Sequence, residues 1–403
     1  MAMTIQEARE LVVSAGKRLV ETGLIARTWG NISARISDSH FVITPSGRDY
    51  LSLIPDEIVE VTVSDCRYTG NIKPSSEKGI HAEVYKMHPH INFVIHTHQD
   101  YASALSVTGQ DSIDISEEFP YLGGKVICAA YGLPSTKKLR RGVAKALTSS
   151  SGNAVIMKNH GALCFGKNCE ETFETAHQLE TACEGYISAQ YQKLSGQNTF
   201  DVLTAGCFAL SRISERKINP DNINHTPLYE SERCKNGFRL FAEDKTYDVI
   251  ISDNEISFPS DSDLLKAAEI HAEIYKNHKN TNNILHSLAP NTRAVSYSGI
   301  KLFPFLDDFA QIAGTSVKSA EAGTVKISGQ LNNSSAVLIQ GNGALCCGNS
   351  KSDAAAVSMV VEKNCRALIC GALFGGTKPI NPIESRLMRF IYLKKYSKQA
   401  YIK

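Results

Sequence analysis

The chain of 403 residues predicts an α/β sandwich present in two tandem copies. Three observations predict it. The sequence repeats itself: Ile80-His81-Ala82-Glu83-Val84-Tyr85-Lys86 recurs as Ile270-His271-Ala272-Glu273-Ile274-Tyr275-Lys276, at an offset of 190, and Asn159-His160-Gly161-Ala162-Leu163-Cys164 recurs as Gly341-Asn342-Gly343-Ala344-Leu345-Cys346, at an offset of 182. Apolar residues recur at both helical and strand spacing within each copy, and strands interspersed with helices build a layered α/β domain. With 42% hydrophobic and 21% charged residues, the composition is that of a chain with ample core.

Within the first copy, helical patterns cover residues 5–22, 76–88, 136–148 and 169–194. The last opens on Glu170-Glu171 and ends at Ser195-Gly196. Strand patterns are Phe41-Val42-Ile43-Thr44, Ile58-Val59-Glu60-Val61-Thr62, Phe93-Val94-Ile95-His96 and Ala154-Val155-Ile156-Met157. A repeat this long is a whole domain rather than a solenoid unit. The division expected is a first copy over 1–195, a connector over 196–234, a second copy over 235–375 and a basic, aromatic tail over 376–403.

Charge and composition lend no support to several function classes. Lys plus Arg number 43 and Asp plus Glu 41, so no basic excess calls for nucleic acid. No run approaches the ~20 apolar residues of a membrane span, and charges within the first thirty residues break any signal-peptide core. The 11 cysteines show no metal-type pairing and read as free thiols, so a cytoplasmic protein is expected.

The chemistry-bearing residues cluster in copy one. His96-Thr97-His98 follows an apolar run, and if the strand continues, two imidazoles project from one face. His160 ends a second apolar strand, and a third imidazole there completes a three-nitrogen face with an open position, the catalytic rather than the closed zinc pattern. Pro74-Ser75-Ser76-Glu77 precedes an amphipathic helix whose first-turn N–H groups attract anions, although an ordinary helix cap reads the same way. The loops Thr28-Trp29-Gly30-Asn31 and Thr44-Pro45-Ser46-Gly47 suit either a tight turn or a phosphate nest.

In series, Gly30-Asn31-Ile32-Ser33, Ile43-Thr44-Pro45-Ser46-Gly47, Pro74-Ser75-Ser76-Glu77, His96-Thr97-His98 and Asn159-His160-Gly161 resemble the class II aldolase/adducin family. The resemblance covers essentially all of copy one and, more weakly, copy two. It implies an α/β/α three-layer sandwich around a mostly antiparallel sheet, with the active site between neighbouring subunits of a fourfold ring. It implies His96, His98 and His160 as ligands of one Zn²⁺ per chain, with other divalent metals possible, and Glu77 as the acid/base. It implies Asn31, Ser46, Gly47, Ser75 and Ser76 as phosphate-binding positions, with Thr28 a weaker candidate. Several aldolases of the family use a tyrosine from one loop as proton donor. Here that position falls close to Glu117, with Tyr121 as the shifted alternative.

The function these residues imply is a metal-dependent lyase that cleaves or forms a carbon–carbon bond in a small, phosphorylated sugar or hydroxyketone through a metal-stabilised enediolate. Decarboxylation, epimerisation and dehydration in the same family use the same residue types, and an adducin-like interaction module is the non-catalytic alternative. Copy two keeps His286 but has Leu288, Asn342 and Ala267 at the other three positions, so it is expected to be metal-free and silent. Two chains would then supply the four domains of a pseudo-fourfold homodimer.

Overall fold

The structure is a computed structural model that describes residues 3–25, 29–214, 218–219, 226–252, 256–258 and 262–396. The chain divides into two compact units, the first residues 1–190 with 391–403 and the second residues 191–390.

In the first unit, α1 (Ile5–Glu21) leads into β1 (Asn31–Arg35), β2 (His40–Ile43) and β3 (Val59–Thr62). Then follow α2 (Lys78–Met87), β4 (Phe93–Thr97), α3 (Asp100–Leu105), β5 (Ser112–Asp114), β6 (Lys125–Ala129), α4 (Lys137–Ser149), β7 (Ala154–Met157), β8 (Gly161–Gly166) and α5 (Cys169–Ser195). The eight strands run in the order β3-β2-β1-β4-β8-β7-β6-β5, antiparallel except for the parallel pair β6–β7. Thr4 and Glu7 form a reciprocal capping box that starts α1. The apolar stripes of α2 and α4, including Ile80, Val84, Tyr85, Leu139 and Val143, pack on one sheet face with Phe41, Val61, Val94, Val155 and Leu163. Strands β4, β7 and β8 are buried at every position, so their other face is covered as well, and α1 and α3 pack along the sheet. This is the expected three-layer sandwich.

The second unit holds α6 (Val202–Ser211), β9 (Glu230–Cys234), β10 (Gly237–Ala242), β11 (Lys245–Ile251) and β12 (Ile256–Ser257). It continues with α7 (Ser262–Asn277), β13 (Asn283–Ser287), α8 (Pro290–Ser298), α9 (Asp307–Ile312), β14 (Ser319–Ala320), β15 (Ala336–Ile339), β16 (Ala344–Gly348), α10 (Lys351–Leu373) and α11 (Pro382–Ile391). Its sheet order, β12-β11-β10-β9-β13-β16-β15-β14, repeats the first, and again its one parallel pair is β14–β15. Seven strands correspond; each sheet adds a different edge strand, β5 or β12. The stretch 196–234, expected as a connector, carries α6 and β9, the counterpart of β1.

The two units also share their buried polar bracing. Arg35 donates to the carbonyls of Tyr85 (2.7 Å), His88 (3.3 Å) and Ile91 (2.8 Å) and lies over the Tyr85 ring. Arg233 donates in the same way to Tyr275 (2.9 Å), His278 (3.0 Å) and Thr281 (2.8 Å) and lies over the Tyr275 ring. Each guanidinium thereby ties the first strand to the far end of the helix that packs on it, satisfying carbonyls a helix C-terminus leaves open.

Candidate metal centre

Strand β4 delivers His96 on the face that also carries Val94, and His98 follows just past its end. The tight turn between β7 and β8 delivers His160. Asn159 takes a left-handed φ of 59° there, a conformation asparagine tolerates, and its N–H donates to Ser106 Oγ. Gly161 starts β8 so close to β4 that a Cβ on it would lie 2.2 Å from Thr97 O and 3.3 Å from His96 Cε1. Gly30, at φ 107°, approaches the other side of β4, where a Cβ would meet His96 O at 2.5 Å. Two glycines thus let neighbouring backbone close on the strand that carries His96.

The result is a buried group of three imidazoles whose ligand atoms all lie within 4.8 Å of one another. His96, His98 and His160 are 0, 8 and 3% exposed. His96 Nδ1 lies 2.9 Å from the Ala162 carbonyl and must donate to it, which leaves Nε2 with its lone pair. That Nε2 stands 3.0 Å from His160 Nε2 and 3.3 Å from Glu77 Oε2, while Glu77 Oε1 stands 3.3 Å from His160 Nε2. Ring nitrogens and a carboxylate converging at these separations fit a divalent cation. Burial drives His96 toward its neutral, ligating form. For Glu77, burial opposes ionisation, but the imidazoles of His160, His96 and His98 outweigh it and hold the carboxyl far below its ordinary range.

Behind this group runs a chain of buried polar side chains. Asn31 Nδ2 donates to Glu77 Oε2 (3.2 Å), and Asn31 Oδ1 pairs with His81 Nε2. His81 Nδ1 lies 2.7 Å from Ser33 Oγ, which lies 2.7 Å from the Tyr85 hydroxyl. Burial pushes His81 down to about 3, so its imidazole is neutral at physiological pH.

The remaining sequence candidates fall into two places. The isolated bridge Pro45–Pro74, with Ser46 N donating to Lys73 O and Ser75 N to Thr44 O, sets the Ser46-Gly47 loop against the Ser75-Ser76 loop. Ser75 Oγ accepts from Glu77 N, and Ser76 Oγ accepts from Ser135. Asn31, expected among the phosphate-binding positions, directs its side-chain amide at Glu77 and His81. Glu117 is not brought to the imidazoles of its own unit: it is exposed in the loop after β5, the edge strand four positions from β4, on the order of 19 Å at one strand spacing each. Tyr121 is half-buried beside that loop. Thr28 lies outside the described residues. Sequence reasoning missed His81, Ser33 and Tyr85 as neighbours of the site; the signal was present in the repeated His-Ala-Glu-x-Tyr-Lys block.

Among the described residues of the second unit, the same framework holds no such group. His286 Nδ1 accepts from Leu228 N (3.1 Å) and its Nε2 donates to Asn342 O (2.8 Å), so the backbone occupies both nitrogens. The Asn342 amide donates to Thr226 O. Ala267 is buried inside α7, which begins at Ser262 and makes helix of the stretch that is the Pro-Ser-Ser-Glu loop in the first unit. A cavity of about 820 Å³ in this unit, bordered by Glu230, Glu232, Phe241 and Lys351, includes none of these residues.

The model of the class II aldolase and adducin N-terminal domain matches the chain twice, over residues 10–187 and 243–369. The chain therefore belongs to the class II aldolase/adducin family, with the domain present twice. Among its relatives, 5-deoxy-D-ribulose 1-phosphate aldolase of Bacillus thuringiensis serovar kurstaki is 31% identical over 189 residues, 47% of this chain and 88% of that protein. The 3-oxo-tetronate 4-phosphate decarboxylase of Haemophilus influenzae is 29% identical over 198 residues, 48% of this chain and 92% of that protein. A solved L-fuculose 1-phosphate aldolase superimposes with a TM-score of 0.44 at 28% identity, covering 50% of this chain and 92% of its own. Among the described residues, no helix is long and apolar enough to cross a membrane.

Proposed function

We propose that this chain is a metal-dependent lyase of aldolase type, acting on a small phosphorylated sugar or hydroxyketone at the first copy's site. The observation that carries the reading is the convergence of His96, His98, His160 and Glu77 in one buried cluster. Three imidazole nitrogens with a position left open suit zinc. When bound, a divalent cation supplies Lewis-acid polarisation of a ketone oxygen and offsets the negative charge that develops there. Glu77 lies against the His96 and His160 nitrogens, where its ionised carboxylate takes a proton from a substrate hydroxyl or carbon and returns it. The paired loops at Ser46-Gly47 and Ser75-Ser76 offer the Gly47 and Ser76 N–H groups and the serine hydroxyls to a terminal phosphate, the Ser46 and Ser75 N–H groups being held within the loops.

The second copy is proposed to be silent, because the backbone already takes both His286 nitrogens. Glu117 lies in the loop after the edge strand β5, four positions from β4, so a donor role for it requires the site of another subunit, as in the proposed pseudo-fourfold homodimer. Decarboxylation of a β-keto acid phosphate is the second reading, favoured by the Haemophilus relative and by an acidic loop where an aldolase tyrosine is expected.

Elemental mass spectrometry of wild type and His98→Ala tests the centre. One metal ion per chain, absent from His98→Ala, is the expected result; two per chain or none refutes the reading. Screening phosphorylated ketoses and keto acids then separates aldehyde release from carbon dioxide release. Glu77→Gln keeps the metal and loses on the order of 10²–10⁴ in kcat.

A further inference from the structure

The structure assigns to His81 a positioning role: through Asn31, it holds the Glu77 carboxylate at the imidazole cluster. The assignment rests on the proposed role of Glu77. Donor and acceptor chemistry orders the hydrogen bonds in the chain behind it. The Asn31 amide nitrogen faces Glu77 Oε2 and its Oδ1 faces His81 Nε2, so the amide donates to the carboxyl group and accepts from the imidazole. His81 Nε2 therefore carries the proton, and Nδ1 is the acceptor. Ser33 gives its one hydroxyl proton to Nδ1, and the Tyr85 hydroxyl donates to Ser33 in turn. Every proton in the sequence Tyr85, Ser33, His81, Asn31 points toward Glu77. All four side chains are nine-tenths or more buried, so water does not compete for these bonds.

The second unit supplies an internal comparison. Strand register places Ser231 where Ser33 stands, since Ser33 pairs with Val94 and Ser231 with Ile284, the repeat partner of Val94. Ser231 Oγ lies 2.8 Å from the Tyr275 hydroxyl and 2.7 Å from His271 Nδ1, matching the first unit. There the chain stops. His271 Nε2 is buried, and among the described residues it makes no hydrogen bond of normal geometry. Ala267 offers no carboxylate to continue it. The Ser-His-Tyr segment thus braces the fold in both units, and the continuation through Asn31 to a carboxylate is confined to the unit with three imidazoles. Losing a hydrogen bond that orients a reactive group costs roughly 10–100-fold in rate.

The test compares His81→Phe, which fills the space without a donor, with His81→Gln, whose amide N–H reaches the Nε2 position. His271→Phe is the control for bracing alone. Expected are a 10–100-fold fall in kcat at little-changed KM for His81→Phe, with one metal ion per chain retained, substantial recovery in His81→Gln, and kcat within twofold of wild type for His271→Phe. A crystal structure of His81→Phe is expected to show Glu77 turned away from His96 and His160. Glu77 unmoved, or equal rates in the Phe and Gln variants, overturns the assignment. If wild type cleaves no phosphorylated substrate, the proposed activity fails, while the position of Glu77 in the variant still decides the positioning role. Should His81→Phe not fold, Asn31→Ala breaks the same chain one link later, with the same displacement of Glu77 expected.

Discussion

Gly161 offers the sharpest perturbation of the metal centre that adds no charge and removes no ligand. In Gly161→Ala the new Cβ would sit 2.2 Å from Thr97 O, against a closest tolerable approach of 3.0 Å. Strand β8 and the end of β4 must therefore part by about 0.8 Å, and the clash is with backbone, which has no rotamer to change. His160 precedes Gly161 and His96 precedes Thr97, so the separation falls directly between two of the proposed ligands. Metal–nitrogen distances tolerate about 0.2 Å, a quarter of the forced shift. Metal affinity is expected to fall at least 10–100-fold, the range seen when ligand positioning is disturbed, with an overpacking cost of about 1–3 kcal/mol. Gly343→Ala makes the corresponding clash in the second unit, 2.1 Å from Ser287 O, with a φ of 72° adding strain. It should lower stability at least as much and leave metal binding unchanged. Chelator competition gives the affinity and urea unfolding the stability. If Gly161→Ala binds metal within threefold of wild type, close approach of β8 does not set the ligand geometry.

Two further outcomes follow from the buried groups. Burial pushes His81 and His271 down to about 3, one in each unit, so the unfolded chain binds more protons between about pH 3 and 6.5, and stability falls as pH drops through that window. Metal-free protein should lose about 1.2 kcal/mol per unit between pH 7 and 5.5, and urea midpoints unchanged over that range would contradict it. Arg233→Ala leaves three carbonyls of the second unit without their donor and should cost about 2–4 kcal/mol in that unit's urea transition. Metal content should stay at the wild-type value, and a loss of metal would show that the second unit supports the centre in ways its own contacts do not explain.

Apolar spacing placed α1, α2, α4, α5 and the alternating strand β3 close to their observed limits, and short unbroken apolar runs placed β2, β4 and β7. Strands β1, β5, β6 and β8 escaped it. Asn31–Arg35 mixes polar residues among its apolar ones although it is wholly buried, and a glycine opens β8. The expected connector hid β9 for a related reason: Glu230–Cys234 is a polar strand whose identity comes from pairing with β10 and β13.

The sequence by itself determined the duplication, the fold class, the imidazole trio and its loss from the second copy. Those facts are written in residue identity at fixed spacing. Only the tertiary structure decided what surrounds the trio. Glu77 meets His96 and His160 across 19 and 83 residues of chain, and Asn31 meets His81 across 50. Such contacts depend on the register of β1 against β4 and on how α2 lies over both. The fate of His286 was decided there too. A histidine at a ligand position reads the same in either copy until the Leu228 amide and the Asn342 carbonyl are found on its two nitrogens.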